Sequence, residues 1–123
     1  LEPNNPSPFN TLGYYLADRT NRFNEAFELI QHAIALSPND PAILDSLGWV
    51  QYKLGRYDEA RVNLELAFEL YPDHEVGAHL GEVLWVQGQQ DAAREIWQEA
   101  LQTQPDSEFI LNTMRRLAVE SDS

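Results

Sequence analysis

The sequence predicts an all-α chain of repeated helix–turn–helix units, and three observations carry that prediction. A short proline-bearing segment occurs four times, as Leu1-Glu2-Pro3-Asn4-Asn5, Leu36-Ser37-Pro38-Asn39-Asp40, Leu70-Tyr71-Pro72-Asp73-His74 and Thr103-Gln104-Pro105-Asp106-Ser107, with prolines 35, 34 and 33 residues apart. Between the prolines, Leu12-Gly13, Leu47-Gly48 and Leu80-Gly81 mark a first helix, and Ala26, Ala60 and Ala93 open a second. Within each half-unit the apolar residues recur at helical spacing.

The elements follow in order. Residues 1–5 match the tail of a preceding unit, so the chain is expected to be a fragment of a longer array. The first unit, 6–40, carries one extra residue in its ADRTNRF turn. In the second unit, 41–74, Leu44, Leu47, Gly48, Gln51 and Leu54 share one side of a helix that Gly55 ends, and Ala60, Leu64 and Ala67 form the facing stripe. Gly48 and Ala60 have almost no side chain, which lets the two helices of a pair approach closely.

The third unit, 75–107, is one residue short in HEVGAHLG, and Gly77 predicts a first helix that starts late or frays. Trp97 aligns with Ile30 and Leu64 on the second-helix packing stripe and is expected in the core. Residues 108–120, with Phe109, Ile110, Leu111, Met114, Leu117 and Ala118 apolar, read as a capping helix, Arg115 standing where a repeat glycine would be. Residues 121–123 are expected to be a disordered tail.

A period near 34 with Leu-Gly early, Ala-x3-Leu/aromatic-x2-Ala later and Pro last resembles the tetratricopeptide repeat family. The resemblance covers nearly the whole chain and implies a right-handed α-solenoid of about three repeats plus a C-terminal capping helix. Gln51 departs from it, standing where the family usually places an aromatic residue. The stretch LGYYLADRTNRFNEAFELIQHAIALSPNDPAILDSLGWVQYKLGRYDEA also resembles the C-terminal repeats of long bacterial tetratricopeptide proteins, several of them lipid-anchored in the envelope. That implies a bacterial lipoprotein fragment in the periplasm or at the outer membrane.

Composition narrows the chemistry. The 123 residues include 8 basic and 20 acidic side chains, a net charge of -12, which disfavours nucleic acid and anionic membranes as partners. The absence of cysteine removes disulfides, thiolate catalysis and thiolate-bound zinc. No run approaches the roughly 18 apolar residues of a membrane-spanning helix. HEVGAH, 74–79, resembles HExxH, but its histidines are five residues apart, about 140° around a helix, and cannot share one metal as an i, i+4 pair does. No G-x-S-x-G or phosphate-binding loop is present, and Asp58-Glu59 suits the positive end of a helix. No catalytic residue, cofactor or metal is therefore expected.

A binding groove remains, because stacked helix pairs line a concave side with their first helices. The face of those helices turned away from the pair partner carries Asn10, Tyr14, Ala17 and Asp18, then Asp45, Trp49, Tyr52 and Lys53, then Ala78, Glu82, Trp85 and Val86. The expected site comprises Asn10, Tyr14, Asp18, Asp45, Trp49, Tyr52, Lys53, Glu82 and Trp85, aromatic anchors in a negative field. Trp49 and Tyr14 are the better ligand contacts on the wheel, whereas Tyr52 and Trp85 serve equally as spacers between neighbouring helices. The partner expected is a protein or peptide with basic and apolar side chains. The alternative is homo-oligomerisation through apolar surface around Phe9, Leu12 and Phe23. Asp45 and Glu82 depart from the positive groove with which one branch of the family grips C-terminal carboxylates.

Overall fold

A computed structural model describes residues 2–122, with side chains described up to Leu117. It contains helices α1 (Pro6–Arg19), α2 (Phe23–Leu36), α3 (Pro41–Lys53), α4 (Tyr57–Leu70), α5 (His74–Val86), α6 (Gln90–Thr103) and α7 (Glu108–Asp122). The chain forms two compact units, Leu1–Leu70 and Tyr71–Ser123.

The proline-bearing segments work as helix starts. Each carries, after its proline, a short polar residue whose side chain accepts a backbone N–H of the next helix's first turn: Asn5 from Ser7, Asp40 from Ala42, Asp73 from Glu75 and Ser107 from Ile110. Pro6 and Pro41 follow directly as first helical residues, where the missing N–H costs nothing. The cap on α5 corrects the expectation of a late start. Asp73 holds the first turn, the Gly77 N–H bonds to the Asp73 carbonyl at 2.9 Å, and the helix runs from His74. The turns inside the second and third pairs end in Gly55 and Gly88, with φ of 81° and 84°, where a side chain would strain the backbone.

In the first unit α1 packs on α2 and α3 on α4, and α3 also lies against α1 and α2. Its core joins Leu16, Ala17, Ala26, Ile30 and Ala33 to Ile43, Trp49 and Val50, with Phe9, Tyr14, Leu47 and Tyr52 packed around them. In the second unit α5 pairs with α6 and is covered by α7, which contributes Ile110 and Leu117 to the interior. Trp97 is 2 % exposed and lies across Gly81, so close that a side chain at 81 would overlap the indole. With no proline or glycine after residue 105, the α7 backbone continues through 121 and 122, where a disordered tail was expected; Ser123 lies outside the described residues.

Candidate functional site

On α1 and α3 the expected contacts form one connected group. The Trp49 indole N–H donates to the Asp18 carboxylate at 3.3 Å, and the Lys53 ammonium lies over the Trp49 ring, 4.9 Å from its centre. Tyr52 stacks on Trp49 with ring centres 5.0 Å apart and meets Tyr57, at the start of α4, at 5.6 Å. Trp49 itself is only 5 % exposed, so its ring is covered rather than presented; the wheel gives its direction but not what lies on top. Tyr14 is half-buried against the same core. Asp45 is buried, and the Asn10 amide oxygen is enclosed without a partner among the described residues.

In the second unit, Glu82 is 4 % exposed and accepts a hydrogen bond from the Arg116 guanidinium of α7. The ion pair offsets the cost of burying the carboxylate and withdraws one acid from the expected negative field. Trp85 packs on Trp97 of its own helix pair, ring centres 5.6 Å apart, and carries Arg94 above it at 5.1 Å. The two histidines of HEVGAH have separate surroundings. His74 Nδ1 lies 2.7 Å from Ser107 Oγ and its ring meets Phe109 edge-on, while His79 is buried in α5. Among the described residues no three His, Cys, Asp or Glu side chains gather to hold a metal ion, and no helix is long and apolar enough to cross a membrane.

Sequence models of the tetratricopeptide repeat match residues 19–79 and 75–99, together spanning the second helix pair, most of the third and the second helix of the first. The chain belongs to the tetratricopeptide repeat family. It is 57 % identical over 81 residues to the TPR repeat-containing protein PA4667 of Pseudomonas aeruginosa; the match takes in 66 % of this chain and 14 % of that protein. In fold, it is similar to the thermophilic TPR protein TTC0263 of Thermus thermophilus, with a TM-score of 0.76 and 23 % identity over 96 % of this chain and 64 % of that one. It is also similar to the first TPR of Spaghetti (RPAP3), solved bound to the HSP90 peptide SRMEEVD, with a TM-score of 0.78 and 14 % identity over the whole of this chain and 98 % of that one. The fold class is thus an all-α tetratricopeptide solenoid.

Two side-chain pairings set single tetratricopeptide repeats of this chain apart from the others. Gln51, awkward in the sequence, accepts from the Asn63 amide at 2.7 Å and donates to Glu59 at 3.4 Å. In the other repeats the same two positions hold Leu16 with Leu29 and Leu84 with Ile96, so α3 and α4 exchange an apolar contact for an amide–amide one. Arg116 lies one period after Glu82, which itself aligns with Tyr14 and Trp49. The sequence signals both as paired departures from the other repeats, 12 residues apart for Gln51 and Asn63 and 34 apart for Glu82 and Arg116.

The α1–α2 pair also holds a cavity of about 480 Å³ lined by Phe9, Leu12, Leu16, Leu29 and His32, with Arg22, Glu25 and Glu28 at its polar side. Leu12 and Tyr15 stand 41 % and 56 % exposed, while their α3 counterparts Leu47 and Val50 pack into the core of the first unit.

Proposed function

We propose that the chain is a non-catalytic protein-interaction module, which uses the first-helix face of its repeats to hold a peptide or helix that carries basic and apolar side chains. One observation carries the reading: Lys53 lying over Trp49, whose indole is tied to Asp18. An aromatic face backed by a carboxylate stabilises a cation, and here the chain's own lysine occupies that place. A partner's arginine would take it over for roughly 0.5–2 kcal/mol per cation–π contact, while Tyr14 and Tyr52 offer apolar edges beside it. The family fold, and the peptide held by the RPAP3 domain, support the binding role and a rigid adaptor that does no bond chemistry.

The test is calorimetric titration with the HSP90 peptide SRMEEVD and its charge-reversed counterpart SRMKKVD. The basic peptide is expected to bind, and Tyr14→Ala or Trp49→Ala, at matched stability, to weaken it. Tighter binding of the acidic peptide would sink the reading.

A second reading rests on the cavity at α1–α2 with Leu12 and Tyr15 exposed beside it. That surface supports self-association or the stacking of another repeat, and light scattering across a concentration series separates these from a monomer. The likeness to the Pseudomonas protein, of which this chain spans 14 %, supports a further proposal, that the chain is a segment of a longer bacterial repeat protein; its attachment to the envelope is proposed from the sequence resemblance alone. Fractionation of cells that express the full-length protein would refute it by finding the protein in the cytosol.

A further inference from the structure

Three exposed positions recur on the outer side of the second helix of every pair. They hold Glu28, His32 and Leu36 in α2, Val62, Leu66 and Leu70 in α4, and Glu95, Glu99 and Thr103 in α6. Since α2 and α6 are polar at the first two, the helix pairs do not need apolar side chains there. In α4 they are nevertheless apolar, with Val62 59 %, Leu66 39 % and Leu70 49 % exposed. Their i, i+4, i+8 spacing makes one continuous strip about 12 Å long on the helix surface. Exposed Glu65 and Glu69 run along one edge, Glu59 lies on the other, and Asp58 continues the line at its N-terminal end. The only basic residue of α4, Arg61, pairs with Glu65 at 3.2 Å. Beside Val62 opens a recess of about 320 Å³ lined by Gln51, Asp58, Glu59 and Asn63.

We propose that this face of α4 is a second docking surface, separate from the first-helix face, and that it takes a basic amphipathic helix. Apolar residues of the partner cover Val62, Leu66 and Leu70, while a lysine or arginine lays its methylene stem in the recess and meets Asp58 and Glu59. Charge selects this occupant. A second copy of a chain with net charge -12 would set acid against acid, and an anionic membrane would be repelled.

The test uses a labelled 14-residue Leu/Lys amphipathic helix and its Leu/Glu counterpart, titrated by fluorescence anisotropy against the wild-type chain and Val62→Glu/Leu66→Glu. That variant installs the glutamates α6 already carries, so the fold is expected to tolerate it, and a circular-dichroism melt checks this; Leu66→His, after His32 of α2, replaces it should it unfold. The Leu/Lys peptide is expected to bind the variant at least ten-fold more weakly, although the variant is more acidic, and the Leu/Glu peptide not to bind. Equal or tighter binding to the variant means that charge alone holds the peptide, and overturns the proposal. So does loss of binding in Tyr14→Ala with none in the α4 variant, which assigns the peptide to the first-helix face. A dimer in sedimentation velocity that the α4 variant abolishes overturns it in favour of a second copy.

Discussion

Arg116 of α7 donates a hydrogen bond to Glu82 of α5, joining the last helix to a carboxylate that is almost wholly buried. The pair is unequal, because the arginine side chain is half exposed and the glutamate only 6 %. Removing the arginine therefore leaves a buried charge short of a donor. Arg116→Ala should destabilise the second unit by about 1–3 kcal/mol, and Arg116→Ala in a Glu82→Gln background by less. Urea denaturation of the four proteins in a double-mutant cycle measures the difference, and additive losses would disprove the coupling.

Gly81 and Trp97 are matched in volume. Alanine at 81 places a methyl group inside the indole, which as a rigid ring cannot rotate out of the way as an aliphatic chain can. Gly81→Ala should cost about 1–3 kcal/mol through overpacking. Gly48→Ala should cost less, since its new methyl would lie 2.6 Å from the Leu64 branch carbon, whose side chain has rotamers to spare. A comparison of the two melting temperatures checks the order.

The amide pair of α3 and α4 makes the opposite prediction for single and double changes. Asn63→Leu strips Gln51 Oε1 of its donor and should lose about 1–3 kcal/mol. Gln51→Leu/Asn63→Leu, the pairing used by Leu16 and Leu29, should recover that loss or improve on the parent. Chemical denaturation of all three variants decides it, and a double variant weaker than Asn63→Leu alone would show that the amides are needed for more than each other.

Gly55 and Gly88 hold the left-handed conformation at the ends of α3 and α5. Each changed to alanine should lose about 1 kcal/mol, although nothing lies within 4 Å of the added methyl. Asparagine at the same positions should lose less. A calorimetric scan that finds alanine neutral at both would refute the strain argument.

Much of this fold is written in local chemistry. A proline followed within two residues by Asn, Asp or Ser states where a helix begins, and the capping bonds of Asn5, Asp40, Asp73 and Ser107 are that statement made physical. The α5 start runs against the propensity of Gly77, a preference of a few tenths to one kcal/mol that a cap on the same turn outweighs. The binding face is less legible. A helical wheel assigns Trp49 a direction, yet Lys53 and Tyr52 decide how much of the ring meets solvent, and those contacts depend on rotamers that no spacing encodes. Glu82 read as a groove acid because its neutralising arginine lies 34 residues away on a helix expected only to cap.

The bond between Gln51 and Asn63 spans one tight turn and stays within one helix pair. A crossover between related genes that falls at Gly55 would hand α3 a leucine-type partner and strand its glutamine, whereas one that falls at Pro38 would carry donor and acceptor together. Among recombinants that fold, breakpoints should therefore collect at the prolines and avoid the glycines, which makes the helix pair, rather than the helix, the smallest exchangeable part of this chain.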